Sequence, residues 1–116
     1  MIKFYWYPKC STCRAAKKYL EAKGTKFEAI DIVEKPPAVA ELKKVLASEQ
    51  YGMKQLFNTS GEVYRQMNLK EKMASMTEAA LLKLLSMNGK LVKRPFVTDG
   101  ERHSVGFDKK NFDKNF

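Results

Sequence analysis

Ile2-Lys3-Phe4-Tyr5-Trp6-Tyr7-Pro8-Lys9-Cys10-Ser11-Thr12-Cys13 is the stretch that decides how this chain folds. Ile2–Tyr7 is β-branched and aromatic with little polar alternation, and Pro8 stops it. Such a run reads as a short strand covered on both faces. A helical pattern opens directly behind it. Ser11 or Thr12 is expected to cap a helix running to about Lys23, with Ala15, Ala16, Tyr19, Leu20 and Ala22 on its apolar face and Gly24 ending it. Phe27–Val33 reads as a second strand. The opening is therefore strand, cysteine turn, helix, strand. This is a βαβ unit with parallel strands and the cysteines at the carboxyl end of the first.

Cys10 and Cys13 are the chain's two cysteines. A spacing of three in the first turn of a helix puts both sulfurs on one face. That suits a disulfide, which needs Cα atoms roughly 4.4–6.8 Å apart. The positive end of the helix favours thiolate over thiol. A CxxC beside a βαβ pattern reads as a thioredoxin-like redox motif. Cys10, at the exposed start of the helix with Lys9 beside it and Arg14 nearby, is expected to be the nucleophile. Cys13, one turn in, is placed to resolve a mixed disulfide. The competing readings are two unreactive buried thiols, or structural zinc. Zinc takes four ligands, and only Cys10, Cys13 and His103 offer themselves, so no metal is expected. His103 itself reads as a surface residue of a hairpin. Arg94-Pro95 is the second pointer. Proline lacks a ladder donor and sits at a sheet edge or bend, and an arginine beside it can present its guanidinium to a thiolate or an oxyanion.

The rest of the chain is helical and then β. Pro36-Pro37 can begin a helix carrying Leu42, Val45, Leu46 and Gln50. Gly52 allows a break, Met53–Phe57 a short turn, and Asn58-Thr59-Ser60-Gly61 supplies capping and turn residues. Helical patterns resume over Glu62–Met67, Leu69–Met73, and from a Thr77 cap through Met87, ended by Asn88-Gly89. Val92–Thr98 and His103–Val105 read as strands joined at Asp99-Gly100. Asp108 caps a last short helix whose Phe112 and Phe116 pack back. The fold class is α/β, in one domain over residues 1–116, with a helical insertion over about 37–88.

The chain has 116 residues, enough for one core without staples. No apolar run approaches the ~20 residues that span a bilayer, and the N-terminus lacks a leader pattern. A cytoplasmic location without membrane partners is expected, where a lasting structural disulfide is not. The net charge of +9 comes from scattered lysines without an arginine-rich arm. It reads first as a solvated surface, then as an attraction for an acidic protein or anionic substrate. Direct nucleic-acid binding comes last. No exposed apolar seam calls for a dimer, so a monomer is expected.

Three motifs in order then carry a resemblance over essentially the whole chain. They are Tyr7-Pro8-Lys9-Cys10-Ser11-Thr12-Cys13; Leu56-Phe57-Asn58-Thr59-Ser60-Gly61 with Tyr64-Arg65; and Lys93-Arg94-Pro95 with Ser104-Val105-Gly106-Phe107. The sequence resembles the glutaredoxin-dependent arsenate reductase-like (ArsC/Spx) family. The resemblance implies a thioredoxin-like core, βαβ then ββα, with a helical insertion before the hairpin. It implies a cis bond at Pro95 facing the cysteine loop, Cys10 as the attacking cysteine and Arg94 as an oxyanion holder. Ser11, Thr12, Lys9, Arg14 and Pro95 are supporting residues. Arsenate reductases carry a further arginine where this chain has Phe107, and typically a lone cysteine. Cys13 and the Asn58–Gly61 segment look more like the Spx side, whose members are redox-switched regulators that bind the C-terminal domain of the RNA polymerase α-subunit. The Gly52 region matches that contact. Two functions are thus implied. One is a thiol–disulfide oxidoreductase, with arsenate or another thiol-linked substrate. The other is a Spx-like regulator. No bound cofactor is expected. A cellular thiol reductant, either glutathione or a thioredoxin- or glutaredoxin-type protein, would be the co-substrate.

Overall fold

A computed structural model describes residues 1–116. The strands are β1 (Ile2–Trp6), β2 (Phe27–Asp31), β3 (Phe96–Thr98) and β4 (His103–Val105). They form one sheet in the order β2-β1-β3-β4. β1 pairs parallel with β2, Ile2 opposite Phe27 and Trp6 opposite Asp31. It pairs antiparallel with β3, Phe4 opposite Val97, and β3 pairs antiparallel with β4. β1 is thus an inner strand, and helices cover both of its faces, which is why its sequence alternates so little. The helices are α1 (Ser11–Ala22), α2 (Val39–Ala47), α3 (Glu62–Gln66), α4 (Leu69–Lys72), α5 (Glu78–Met87) and α6 (Lys109–Asn115).

Neighbouring residues of each strand point to opposite faces, and each face has its own core. Phe4 and Val97 point to the side covered by α1 and α6, where they meet Ala16, Leu20 and Phe112. Tyr5, Phe96 and Val105 point to the other side and meet Leu42, Val45, Leu56, Leu82 and Leu85 of the helical segment. This layering, helices on both faces of a small sheet, is that of a thioredoxin-like fold. The helices between β2 and β3 supply the second cover.

Several local expectations needed revision. The N-cap of α1 is Cys10 rather than Ser11 or Thr12, because the Cys10 sulfur accepts the Cys13 backbone N–H at 3.4 Å. The face of α1 against the sheet is Cys13, Ala16 and Leu20, while Ala15 and Ala22 are exposed. The third strand starts at Phe96, not Val92. Pro95 offers no N–H, and Val92 instead forms an isolated bridge with Phe57. In that bridge the Asn58 N–H meets the Leu91 carbonyl and the Lys93 N–H the Leu56 carbonyl, both at 2.7 Å. The bridge ties the helical segment to the chain entering β3. α2 ends at Ala47, leaving Gln50 exposed outside it.

His103 is buried, at 3% exposure, not on the hairpin surface. Its Nδ1 lies 2.9 Å from the Thr98 hydroxyl across the hairpin. The expected caps at Thr77 and Asp108 are present, accepting the N–H groups of Ala80 and Asn111. Gly24, at φ +78°, takes the left-handed conformation just past α1. The last helix packs back through buried Phe112 and through the Tyr19 hydroxyl, which donates to Asp113 at 2.7 Å.

Candidate thiol site

The site is assembled where β1 ends. The chain leaves the sheet at Tyr7, and the Cys10 N–H returns to the Tyr7 carbonyl at 2.9 Å. This closes a tight turn through Pro8 and Lys9 that delivers Cys10 to the first turn of α1. The Arg14 guanidinium donates to the Pro8 carbonyl at 2.9 Å and pins the turn from behind. Cys10 is half-buried and Cys13 wholly buried, and both are free thiols.

Arg94 reaches this turn from the far end of the sequence. Its guanidinium stacks over the Tyr7 ring, 4.9 Å from the centroid, and donates to the Lys90 carbonyl at 3.3 Å. The Arg94–Pro95 peptide is cis. A guanidinium held on an aromatic face and a backbone carbonyl is fixed in direction, and here it serves the Cys10 sulfur.

The two thiols titrate apart. Partial burial pushes the Cys10 thiol up. The Cys13 N–H, 3.4 Å from the sulfur, together with the neighbouring Cys13 thiol and the positive Arg94 guanidinium, outweighs that burial and holds it below the ordinary thiol value. Burial pushes the Cys13 thiol up to about 12. The neighbouring Cys10 charge adds to this, against the opposing influence of the Tyr7 backbone and Arg94. Cys10 is therefore the more acidic of the two thiols, and Cys13 stays protonated beneath it.

Cys10 opens into a cleft of about 510 Å³. One side is Lys93 and Arg94; another is Val105, Gly106 and Phe107; Thr12, Asn58 and Ser60 supply neutral polar groups. Phe107 is propped edge-on against Tyr19, ring centroids 5.7 Å apart. The structure thus brings Cys10, Thr12 and Arg94 together in the cleft wall, with Cys13 buried behind Cys10 and Pro95 next to Arg94 in the chain, its carbonyl accepting the Gly106 N–H at 2.9 Å. Lys9, Ser11 and Arg14 are exposed and do not line the cleft. Gly52 is also exposed and lies outside it, next to a smaller cavity lined by Tyr51, Lys54 and Gln55. A cavity of about 540 Å³ between the hairpin and α6 has an all-polar lining with no cysteine. No group of three or more His, Cys, Asp or Glu side chains is arranged to hold a metal ion. No helix is long and apolar enough to cross a membrane.

Sequence reasoning did not find the parts played by Tyr7 and the Lys90 carbonyl. Tyr7 could have been suspected from an aromatic ring beside the cysteine turn. A main-chain carbonyl leaves no mark in a sequence.

Comparison with known proteins agrees with this site. The ArsC family profile matches residues 5–115. The chain is 49% identical to the uncharacterized protein YusI of Bacillus subtilis over 115 residues, covering 99% of this chain and 98% of that one. It is 29% identical to the regulatory protein MgsR of Bacillus subtilis, covering 92% and 83%. It is 28% identical to the global transcriptional regulator Spx of Streptococcus mutans, covering 93% and 77%. Among solved structures, the protein SACOL0876 of Staphylococcus aureus superimposes with a TM-score of 0.85 at 39% identity, over 98% of this chain and 97% of that one. With the family profile spanning nearly its whole length and a free Cys10–Cys13 pair at the head of α1, this chain belongs to the ArsC family as one of its thiol-based members.

Proposed function

We propose that the protein is a thiol–disulfide oxidoreductase in which Cys10 is the nucleophile, Cys13 the resolving thiol and Arg94 the group that stabilises the Cys10 thiolate. The observation that carries this reading is the placement of the pair: Cys10 opens into the cleft at the head of α1 beside Arg94, while Cys13 lies wholly buried behind it with its N–H 3.4 Å from the Cys10 sulfur. The Cys10 thiolate attacks one sulfur of a substrate disulfide. That S–S bond breaks, its far sulfur leaves as a thiolate and takes a proton from water, and a Cys10 mixed disulfide remains. Once Cys10 is in a disulfide it carries no charge, so its contribution to the high Cys13 value disappears. Cys13 then loses its proton and attacks the Cys10 sulfur. The substrate's second sulfur leaves, and a Cys10–Cys13 disulfide forms. Two electrons have passed from protein to substrate, and a cellular thiol such as glutathione, or a dithiol protein, returns them.

Supporting roles fall to Thr12, which lines the cleft, and to Pro95, which follows Arg94 and offers no N–H at the entry to β3. Lys9, Ser11 and Arg14 shape the turn. Arsenate reduction is a weaker fit, because Phe107 and Val105 occupy cleft positions where a compact oxyanion needs fixed donors.

The test uses Cys10→Ala and Cys13→Ser with a chromogenic aromatic disulfide. Cys10→Ala should lose the fast release of the aromatic thiol. Cys13→Ser should keep the first release and stop as a stable mixed disulfide, visible by mass. Release from the intact protein no faster than from an unperturbed thiol would end this reading. Relatives named as regulators favour a second role, in which the same disulfide alters a contact near Gly52 with the C-terminal domain of the RNA polymerase α-subunit. Equal capture of that domain by the reduced and oxidised protein would exclude this role.

A further inference from the structure

The cleft around Cys10 does not stand alone. At one end it shares Lys93 and Val105 with a cavity of about 340 Å³ that also has Tyr51, Lys54 and Gln55 in its wall. At the other end it shares Asn58 and Arg94 with a cavity of about 180 Å³ beside Lys90 and Glu62. Shared wall residues set the three cavities next to one another in a row, with Cys10 lining the middle one, and we read the row as one groove. A compact substrate would need the central segment alone. An extended chain carrying a cysteine would use all three.

The groove is also one-sided in charge. Lys54, Lys90, Lys93 and Arg94 are distributed along it, and none of them is in an ion pair. Glu62 is the single carboxylate in its walls, at one end. The neutral wall groups, Asn58, Ser60 and Gln55, can pair with main-chain amides on either side of a bound cysteine. Cations spaced along a groove with neutral hydrogen-bonding groups between them suit a polypeptide with carboxylates flanking its cysteine.

We propose that the disulfide taken by Cys10 belongs to an extended, acidic polypeptide segment that lies along this groove. The proposal rests on the thiol–disulfide reading above and names the substrate class for it. The segment places its disulfide over Cys10 and Arg94 and its flanking carboxylates toward Lys90 on one side and Lys93 and Lys54 on the other. Exchange then follows the two-step course already given. The peptide's cysteine leaves or stays on Cys10 according to which sulfur is attacked.

The experiment measures single-turnover thiol release from three peptides of equal length. Each carries one central cysteine joined by a disulfide to the same aromatic thiol, with acidic, neutral or basic flanks. The aromatic disulfide without peptide is the reference. The acidic peptide should react about tenfold faster than the neutral one at low salt, the basic peptide slowest, and the difference should shrink as salt rises. In Lys54→Glu, remote from the sulfur, the acidic-to-neutral rate ratio should drop several-fold. Lys54→Arg should keep it. Equal rates for acidic and neutral peptides, or an unchanged ratio in Lys54→Glu, overturns the groove assignment while fast reaction of the reference leaves the thiol chemistry standing. No fast reaction with the reference means that the thiol chemistry itself has failed.

Discussion

Gly89→Ala should unfold the support of Arg94 as well as destabilise the protein, and the size of the effect can be worked out in advance. A Cβ at Gly89 would lie 1.7 Å from the Ile32 carbonyl oxygen and 2.6 Å from its carbon. A comfortable carbon–oxygen contact is about 3.3 Å, so two backbones must separate by on the order of 1.5 Å. Neither is free to move. The Ile32 N–H is bonded to the Trp6 carbonyl at 2.9 Å, and the Ile32 side chain is wholly buried. On the other side, Leu91 and Val92 are wholly buried immediately after Gly89. Overpacking costs about 1–3 kcal/mol where side chains can adjust. A backbone clash belongs at the upper end, about 3 kcal/mol, which for a chain of this size lowers the melting temperature by roughly 12 °C. Gly52→Ala is the control, since its Cβ would meet only the Gln55 side-chain oxygen at an ordinary 3.8 Å. The assay is thermal and urea unfolding of both variants, together with the alkylation rate of Cys10. The Lys90 carbonyl that holds Arg94 follows Gly89 directly, so Cys10 should also react more slowly near neutral pH. A Gly89→Ala melting temperature equal to that of Gly52→Ala would refute the reasoning.

Three further outcomes are expected. Arg94→Met removes a positive charge that favours the Cys10 thiolate, so the midpoint of its alkylation–pH curve should move up. An unmoved midpoint would remove Arg94 from the site's electrostatics. Burial, together with Lys44 and against the pull of Asp99 and Glu41, holds the His103 imidazole below its ordinary 6.5. The unfolded chain therefore binds that proton first. The stability owed to neutral His103 is complete above about pH 6.5 and is lost as pH falls through the lower folded value. Urea midpoints measured across that window should drop toward acid, and His103→Gln should flatten the drop. Thr77→Ala removes the hydroxyl that accepts the Ala80 N–H at the start of α5. It should cost about 1 kcal/mol in urea unfolding while leaving Cys10 alkylation unchanged.

What the amino-acid sequence determined by itself is local or repeats along the chain. The largely apolar run of β1, the cysteine turn, the Gly24 stop, the Thr77 and Asp108 caps and the Asp99-Gly100 turn all have their causes within a few residues of their effects. Together with the ordered motifs they led to the thioredoxin-like fold and to the ArsC family. The boundary of β3 and the cap of α1 were harder to read. Val92 looks like any strand residue until Phe57 claims it, and a sulfur is a less familiar cap than a hydroxyl. The tertiary structure alone decided the electrostatics of the site. Arg94 differs from a surface arginine only because folding lays it on Tyr7 and against the Lys90 carbonyl. His103 is buried and meets the Thr98 hydroxyl only once the hairpin is folded into the sheet. The groove exists because the Phe57–Val92 bridge sets the helical segment beside the chain entering β3. These are contacts between residues far apart in the chain, and their energies depend on distance and burial, which no local pattern of residues records.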